Sequence, residues 1–174
     1  GIGHVRMDLI FRHMIQIHPM AVVHPETMTD SRVREDIQQI TRGYDSLTEY
    51  FVDRLAGCMA EIAAIRYPDP VIVCMSDMET GEYALLKGGR QFEPDRDDPA
   101  YALRGVARYL SAHYREGFEL ECRAIRSARE EKGLNNIGIM LRYCENVQAA
   151  ESVFAILDAQ GLSRGQNGLV MHLS

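Results

Sequence analysis

Two acidic residues, Asp8 and Asp77, stand where predicted β-strands end, and their carboxylates could carry chemistry. A pair of carboxylates can hold magnesium or act as a general acid and base. Carboxylates at strand ends also pair with arginine or with backbone N–H groups. The sequence favours this structural role and leaves the catalytic one open.

Cys74 lies inside the strand-like run VIVCMS and is the cysteine closest to these carboxylates. The sequence holds no histidine beside it, and a buried strand cysteine is usually inert, so a nucleophilic role is disfavoured. Together with Cys58, Cys122 and Cys144 it forms no CxxC pair. This spacing argues against a compact zinc module or a thioredoxin-like motif, and predicts reduced thiols in a cytosolic protein.

The composition is that of one compact domain: 174 residues, 46% hydrophobic and 25% charged. The net charge is −6, and basic residues alternate with acidic ones, so nucleic acid is not expected as a partner. No apolar run approaches the ~20 residues that span a bilayer, and the start lacks a signal-peptide pattern. We expect no membrane partner and a cytoplasmic location. Because GIGHVR has no initiator Met, we also expect a chain that begins inside a longer polypeptide.

Apolar periodicity alternates between strand and helix along the chain, which is typical of a parallel α/β sheet. Strands are predicted at residues 2–10, 71–76, near Arg104, from Ile137, and at 169–173. One helix should bury Phe51, Leu55, Cys58, Ile62 and Ile65, which recur at spacings of four and three.

Glycines mark where the later helices should end. Residues 115–132 predict an amphipathic helix that stops at Gly133, and a stripe through Val147, Ala150, Phe154 and Leu157 stops at Gly161. The segment 88–99 is rich in Gly, Pro, Asp and Arg, and it predicts a long surface loop.

About five parallel strands with intervening helices can belong to a TIM-type (β/α) barrel or to an open doubly wound sheet. Five are too few to close a barrel, so a partial barrel would leave exposed edges. We therefore expect self-association through residues 169–173 or 2–8, or a partner that supplies the missing face.

Seven segments resemble one enzyme family in the order in which that family has them. They are GIGHVRMDLIF at the start, IHPMAVV from Ile17, YDSLTEYFVDRLA from Tyr44, VIVCMSDMETGEY from Val71, DPAYALRGVARY from Asp98, FELECRAIRSAREEKGLNNIGIML from Phe118 and GLSRGQNGL from Gly161. Together they are similar to the phosphoenolpyruvate synthases, or pyruvate, water dikinases.

The resemblance implies that residues 1–174 form a single incomplete phosphoenolpyruvate-utilising barrel domain. In that family the barrel binds pyruvate or phosphoenolpyruvate with Mg²⁺, while separate domains bind ATP and carry a phosphorylated histidine. The overall reaction converts ATP, pyruvate and water into AMP, phosphoenolpyruvate and phosphate. The ATP-binding and phosphohistidine domains are not recognisable here, and the family's metal ligands and catalytic cysteine lie beyond the matched region. We therefore expect the chain alone to be inactive, with no catalytic residue, no metal ligand and no tightly bound Mg²⁺ or ATP.

By the same resemblance, Arg6 and Arg104 are the candidate substrate-binding residues. Their guanidinium groups can form planar, charge-assisted contacts with phosphate and carboxylate, although structural ion pairs would also explain them. Arg108 is expected at the surface or as a support behind the site.

Three residues depart from the family pattern: Cys74 replaces a third arginine, Asp8 a glutamate and Arg142 a proline. The thiol at Cys74 cannot replace a guanidinium. These departures keep a second reading open, in which the chain is a catalytically inactive paralogue that serves assembly or regulation.

Overall fold

A four-stranded parallel sheet forms the centre of the protein in the computed structural model, which describes residue 1 and residues 3–174. Its strands are β1 Gly3–Arg6, β2 Val71–Cys74, β3 Ile137–Leu141 and β4 Met171–Leu173, paired in the order β1-β2-β3-β4. The α/β class and the parallel sheet are confirmed. The number is four rather than five in the described residues, the sheet is not closed, and Ile2, the first residue of the predicted opening strand, lies outside them.

Helices and loops connect the strands. In chain order they are α1 Met7–Ile10, α2 Pro19–Val23, α3 Ser31–Ile40, α4 Leu47–Arg66, α5 Thr80–Ala84, α6 Gly89–Phe92, α7 Gly105–Leu110, α8 Arg115–Arg126 and α9 Val147–Ala159. Single π-helical turns, Phe11–Ile15 and Ser127–Glu131, extend α1 and α8. The first predicted strand is therefore shorter than expected, because the chain becomes helical at Met7.

The α4 helix crosses the sheet and begins at Ser46, whose side chain accepts a hydrogen bond from the Glu49 N–H at 3.0 Å. Its buried face is rotated from the predicted one. Ile62 and Ile65 are 39% and 84% exposed, whereas Met59 and three alanines are buried. The small alanines let the helix pack closely on its neighbours, so size as well as periodicity decides which face is inside.

The predicted glycine stops of the later helices are confirmed. Gly133 and Gly161 have φ of 77° and 79°, a left-handed conformation that glycine adopts without a Cβ penalty. Asn146 starts α9 by accepting from the Ala149 N–H at 2.8 Å. Val147 is 74% exposed, so the predicted apolar stripe of α9 is inside only in its later turns.

The strand predicted near Arg104 is wrong, because Arg104 is an extended residue that directly precedes α7. Gly105 follows with φ of 53°, and a methyl group on it would overlap the carbonyl oxygen of Arg142. The Val106 N–H donates to that same oxygen at 2.9 Å. The chain therefore turns over the end of β3 here and pairs with it by one hydrogen bond. The loop predicted at residues 88–99 contains the short helix α6.

The two faces of the sheet differ. Val5, Val73 and Ile139 belong to one apolar core together with residues of α4 and α8. On the other face, Arg6 and His172 are exposed, and no such layer covers them in the described part of the chain. None of the described helices is both long and apolar enough to cross a membrane.

Candidate functional site at the carboxyl edge of the sheet

The carboxyl ends of the parallel strands bring together a charged group of side chains. Arg6 ends β1 and stands in register with Cys74, which ends β2 and stands in register with Met140 of β3. We call this edge the mouth and define it by the side chains that meet there: Arg6, Asp8, Cys74, Asp77, Arg104 and Arg142. In barrel enzymes, the chemistry is found at this end of the strands.

Asp8 links the first strand to the loop that follows the second. Its Oδ2 accepts a hydrogen bond from Nη2 of Arg6 at 2.8 Å, and its Oδ1 accepts one from the Asp77 backbone N–H at 2.8 Å. The side chain is almost fully buried, whereas that of Arg6 is 59% exposed. Asp8 therefore holds Arg6 at one end and leaves its remaining donors facing the solvent of the mouth.

Asp77 holds Arg104 in the same way, although the two residues are far apart in sequence. Nε of Arg104 donates to Oδ1 at 3.0 Å and Nη2 donates to Oδ2 at 3.2 Å, which is a two-point contact. This hydrogen bond raises the pKa of Arg104. Both predicted substrate-binding residues, Arg6 and Arg104, thus lie at the mouth, each fixed by a carboxylate.

The carboxylates of Asp8 and Asp77 are engaged in hydrogen bonds rather than free to coordinate a magnesium ion. All four of their oxygens accept hydrogen bonds from arginine or backbone donors. Across the described residues, no group of three or more His, Cys, Asp or Glu side chains could hold a metal ion. Asp8 and Asp77 are paired with arginine and backbone donors, which is the arrangement that the sequence favoured.

Cys74 is half-buried between these charges. Burial raises the pKa of its thiol, and the guanidinium of Arg142 opposes this shift more strongly than that of Arg6 does. Its sulfur lies 3.8 Å from the sulfur of Met140. A thiol whose pKa is raised stays neutral near pH 7, so the geometry offers no support for a nucleophile at this position.

Arg142, which follows β3, belongs to the mouth, and Tyr143 lies beside it. Sequence reasoning predicted neither position. Nε of Arg142 lies 3.7 Å from Oδ2 of Asp77. The guanidinium carbons of Arg104 and Arg142 lie 5.2 and 5.3 Å from the centroid of the Tyr143 ring. The available signal was the departure from the family pattern, in which Arg142 replaces a proline.

A buried polar network supports the mouth from behind. Glu121 of α8 is fully buried, and its carboxylate accepts from the Ser76 N–H at 2.9 Å, the Ser76 hydroxyl at 2.7 Å and the Tyr114 hydroxyl at 2.5 Å. The Tyr109 hydroxyl donates to the Ser76 carbonyl at 2.8 Å. Because Ser76 directly precedes Asp77, this network fixes the backbone from which Asp77 reaches Arg104.

Arg108 belongs to the same buried region rather than to the surface. It is 3% exposed, forms an ion pair with the buried Glu93, and lies over the ring of Tyr83 at 3.6 Å. His18 lies on the other side of Glu93, with Nε2 at 3.5 Å from Oε2, and burial lowers the pKa of this histidine. Of the two positions predicted for Arg108, the surface one is wrong, and its burial agrees with the other, a support behind the site.

The pH dependence of stability should report on Glu121, because burial raises the pKa of its carboxyl from 4.5 to about 7. A carboxyl whose pKa is higher in the folded than in the unfolded state contributes stability that is fully present below its unfolded pKa. This stability is lost as pH rises through its folded pKa. The free energy of unfolding of Glu121→Gln should therefore rise relative to the unchanged protein by on the order of 3 kcal/mol between pH 5 and pH 8. Urea unfolding at several pH values measures this difference.

Glu61→Gln is the matched control for this experiment, because Glu61 is exposed on α4. Its unfolding free energy should follow that of the unchanged protein at every pH. If Glu121→Gln and Glu61→Gln showed parallel pH profiles, the buried carboxyl would not titrate in this range.

A cavity of about 480 Å³ lies at the opposite, amino-terminal edge of the sheet. Arg129 lines it and donates to the carbonyl oxygens of Asn135 at 3.0 Å and Asn167 at 2.9 Å, and also to that of Ile137. These contacts tie together the segments that enter β3 and β4. The geometry therefore gives Arg129 a structural role, away from the mouth.

Comparison with known proteins finds similarity to one group of enzymes. No protein-family profile matches the chain. The phosphoenolpyruvate synthase of Synechocystis is 38% identical over 174 residues, which is 99% of this chain and 21% of the relative. Those of Escherichia coli and Neisseria meningitidis are 38% and 39% identical over 169 residues, each covering 97% of this chain and 21% of the relative.

The chain spans about a fifth of the length of these relatives. The similarity is continuous across nearly all of its residues and includes the segments that build the mouth. Over almost its entire length, the chain is therefore homologous to one part of the phosphoenolpyruvate synthases.

Proposed function

We propose that the mouth binds the substrate of a phosphoenolpyruvate synthase-like phosphotransferase, either pyruvate or phosphoenolpyruvate. The reaction of the whole enzyme would convert ATP, pyruvate and water into AMP, phosphoenolpyruvate and phosphate. The observation that carries this proposal is the position of Arg6 and Arg104, which extend from different segments to one edge of the sheet. Homology to enzymes named for this product supplies the substrate class.

The hydrogen-bond donors of the mouth suit an anionic ligand. The guanidinium groups of Arg6, Arg104 and Arg142 meet there, and three carboxylates pair with them: the buried Asp8 and Asp77, and the exposed Glu79, whose Oε1 lies 3.9 Å from Nη1 of Arg104. Side chains that are already fixed lose little conformational freedom when a ligand arrives, so such a site is pre-organised. Phosphate and carboxylate groups are the anions that best match guanidinium donors.

The one-sided packing of the sheet supports a TIM-type barrel, rather than a doubly wound sheet, as the fold to which it belongs. A doubly wound sheet carries helices on both faces, whereas the inner face of a barrel is filled by the other strands. Here Arg6 and His172 are exposed on one face of the sheet, although Ile72 on the same face is only 4% exposed. We expect one of two partners. Further strands would cover this face of the sheet, or a second copy of the chain would pair at the β1 or β4 edge.

The alternative function is an inactive paralogue that serves assembly or regulation. One feature at the mouth favours it: the uncharged thiol of Cys74, where the family pattern has an arginine. Under either function, the chain alone should release no AMP from ATP in the presence of pyruvate, because phosphoryl transfer needs a nucleotide site and a phosphate carrier as well.

Calorimetric titration with phosphoenolpyruvate tests the proposal. Removing one charge-assisted contact from a bound anion should weaken affinity about tenfold or more, so Arg6→Ala and Arg104→Ala should each raise the dissociation constant by that factor. Arg34→Ala is the matched control, because Arg34 is an exposed arginine of α3 far along the chain from the mouth. Affinities that stay equal in all three variants would exclude the mouth as the binding site.

A further inference from the structure

Arg142 has the most unused hydrogen-bonding capacity of the three arginines at the mouth. Arg6 and Arg104 donate to Asp8 and Asp77, but the nearest carboxylate oxygen to Arg142 is 3.7 Å from its Nε, beyond hydrogen-bonding distance. Within the described part of the chain its side chain donates no hydrogen bond. It is also 44% exposed. Its planar group of N–H donors is therefore free to contact a ligand.

The position of Arg142 directs it toward the space in front of Cys74. Met140 is in register with Cys74, and Arg142 lies two residues further along the same strand direction. Arg142 is the first residue after β3, and its guanidinium reaches the loop that follows Cys74, where its Nε lies 3.7 Å from Oδ2 of Asp77. The guanidinium of Arg142 lowers the pKa of the Cys74 thiol more strongly than that of Arg6 does, although burial outweighs both.

The backbone around Gly105 brings Arg142 and Arg104 together. Gly105 packs directly against the carbonyl of Arg142, where a side chain would overlap it, and the Val106 N–H bonds to the same carbonyl. Both guanidinium groups lie about 5 Å from the centroid of the Tyr143 ring. The two arginines are therefore presented as a pair from neighbouring segments.

We propose that Arg142 supplies a third guanidinium to the mouth and contacts the phosphate of a phosphorylated carboxylic acid, in the space that Cys74 leaves without a charge. The proposal rests on the proposed function, since phosphoenolpyruvate is the ligand of this class that it names. A phosphate dianion accepts several charge-assisted hydrogen bonds at once, and Arg6 and Arg104 have already committed donors to Asp8 and Asp77. The N–H donors of Arg142 remain available for the phosphate.

A double-mutant cycle between positions 74 and 142 tests this inference with phosphoenolpyruvate as the titrant. Arg142→Ala should raise the dissociation constant about tenfold or more, and should affect pyruvate, which lacks the phosphate, much less. Cys74→Arg should improve affinity more than Cys74→Ser does. The gain from Cys74→Arg should be largest in the Arg142→Ala background, because the two arginines would serve the same phosphate.

Arg34→Ala is again the control. Thermal unfolding of each variant checks that the fold is intact, which is expected for Arg142→Ala because the Arg142 side chain is half-exposed. Phosphoenolpyruvate affinity that is unchanged by Arg142→Ala would overturn the inference and leave the proposed function standing, provided that Arg6→Ala and Arg104→Ala still weaken binding. Absence of binding by the unchanged protein would overturn both. Additive effects at positions 74 and 142 would exclude a shared phosphate contact.

Discussion

Arg108→Ala is expected to lower the free energy of unfolding by about 3–5 kcal/mol, because it leaves the carboxylate of Glu93 buried without its cation. Both side chains are at most 3% exposed, so the carboxylate left behind is largely shielded from bulk water. The substitution also removes the guanidinium that lies over the rings of Tyr83 and Tyr114. Urea denaturation at neutral pH, compared with Arg34→Ala, measures the difference.

The double variant Arg108→Met with Glu93→Gln should recover much of this loss. Removing both charges of a buried pair costs far less than removing one, since no uncompensated charge remains. A small effect of Arg108→Ala, below about 1 kcal/mol, would mean that the pair behaves like an exposed one. A double variant as unstable as the single one would mean that packing, not the unpaired carboxylate, is the cause.

The elements of the fold that could be predicted are those set by nearby residues. The run of β-branched residues before Cys74 gave strand β2, and Gly133 and Gly161 gave helix ends, because both signals act within a few residues of the chain. The rotation of α4 was not predictable from periodicity. It depends on which neighbours the alanines approach, and that is decided by tertiary packing.

The candidate site shows the same division. Arg6 and Arg104 could be named from the sequence, but their fixation could not, because Asp77 and Arg104 are 27 residues apart. Glu121 supports Ser76 across 45 residues and carried no local sign of burial. Arg142 was visible only as a departure from a resemblance. Long-range hydrogen bonds among charged residues thus supply most of what the sequence pattern left out.

Gly105→Ala is expected to lower the free energy of unfolding by about 3–5 kcal/mol, because it combines a left-handed backbone with overlap of the new methyl group and the carbonyl of Arg142. The clash lies between the start of α7 and the end of β3, so it should also separate Arg104 from Arg142. Phosphoenolpyruvate affinity should therefore fall in the molecules that remain folded. Urea unfolding and calorimetry on one preparation measure both effects.

Gly133→Ala separates the two causes. Gly133 also has a positive φ, 77°, but a Cβ built there meets no atom within 4 Å. Its substitution should cost only the conformational penalty, about 1–2 kcal/mol, and leave affinity for phosphoenolpyruvate unchanged. If both variants lost the same stability, the contact between Gly105 and Arg142 would contribute nothing beyond backbone conformation. If Gly105→Ala kept full affinity, the spacing of Arg104 and Arg142 would not matter for the ligand, because the mouth would tolerate their separation.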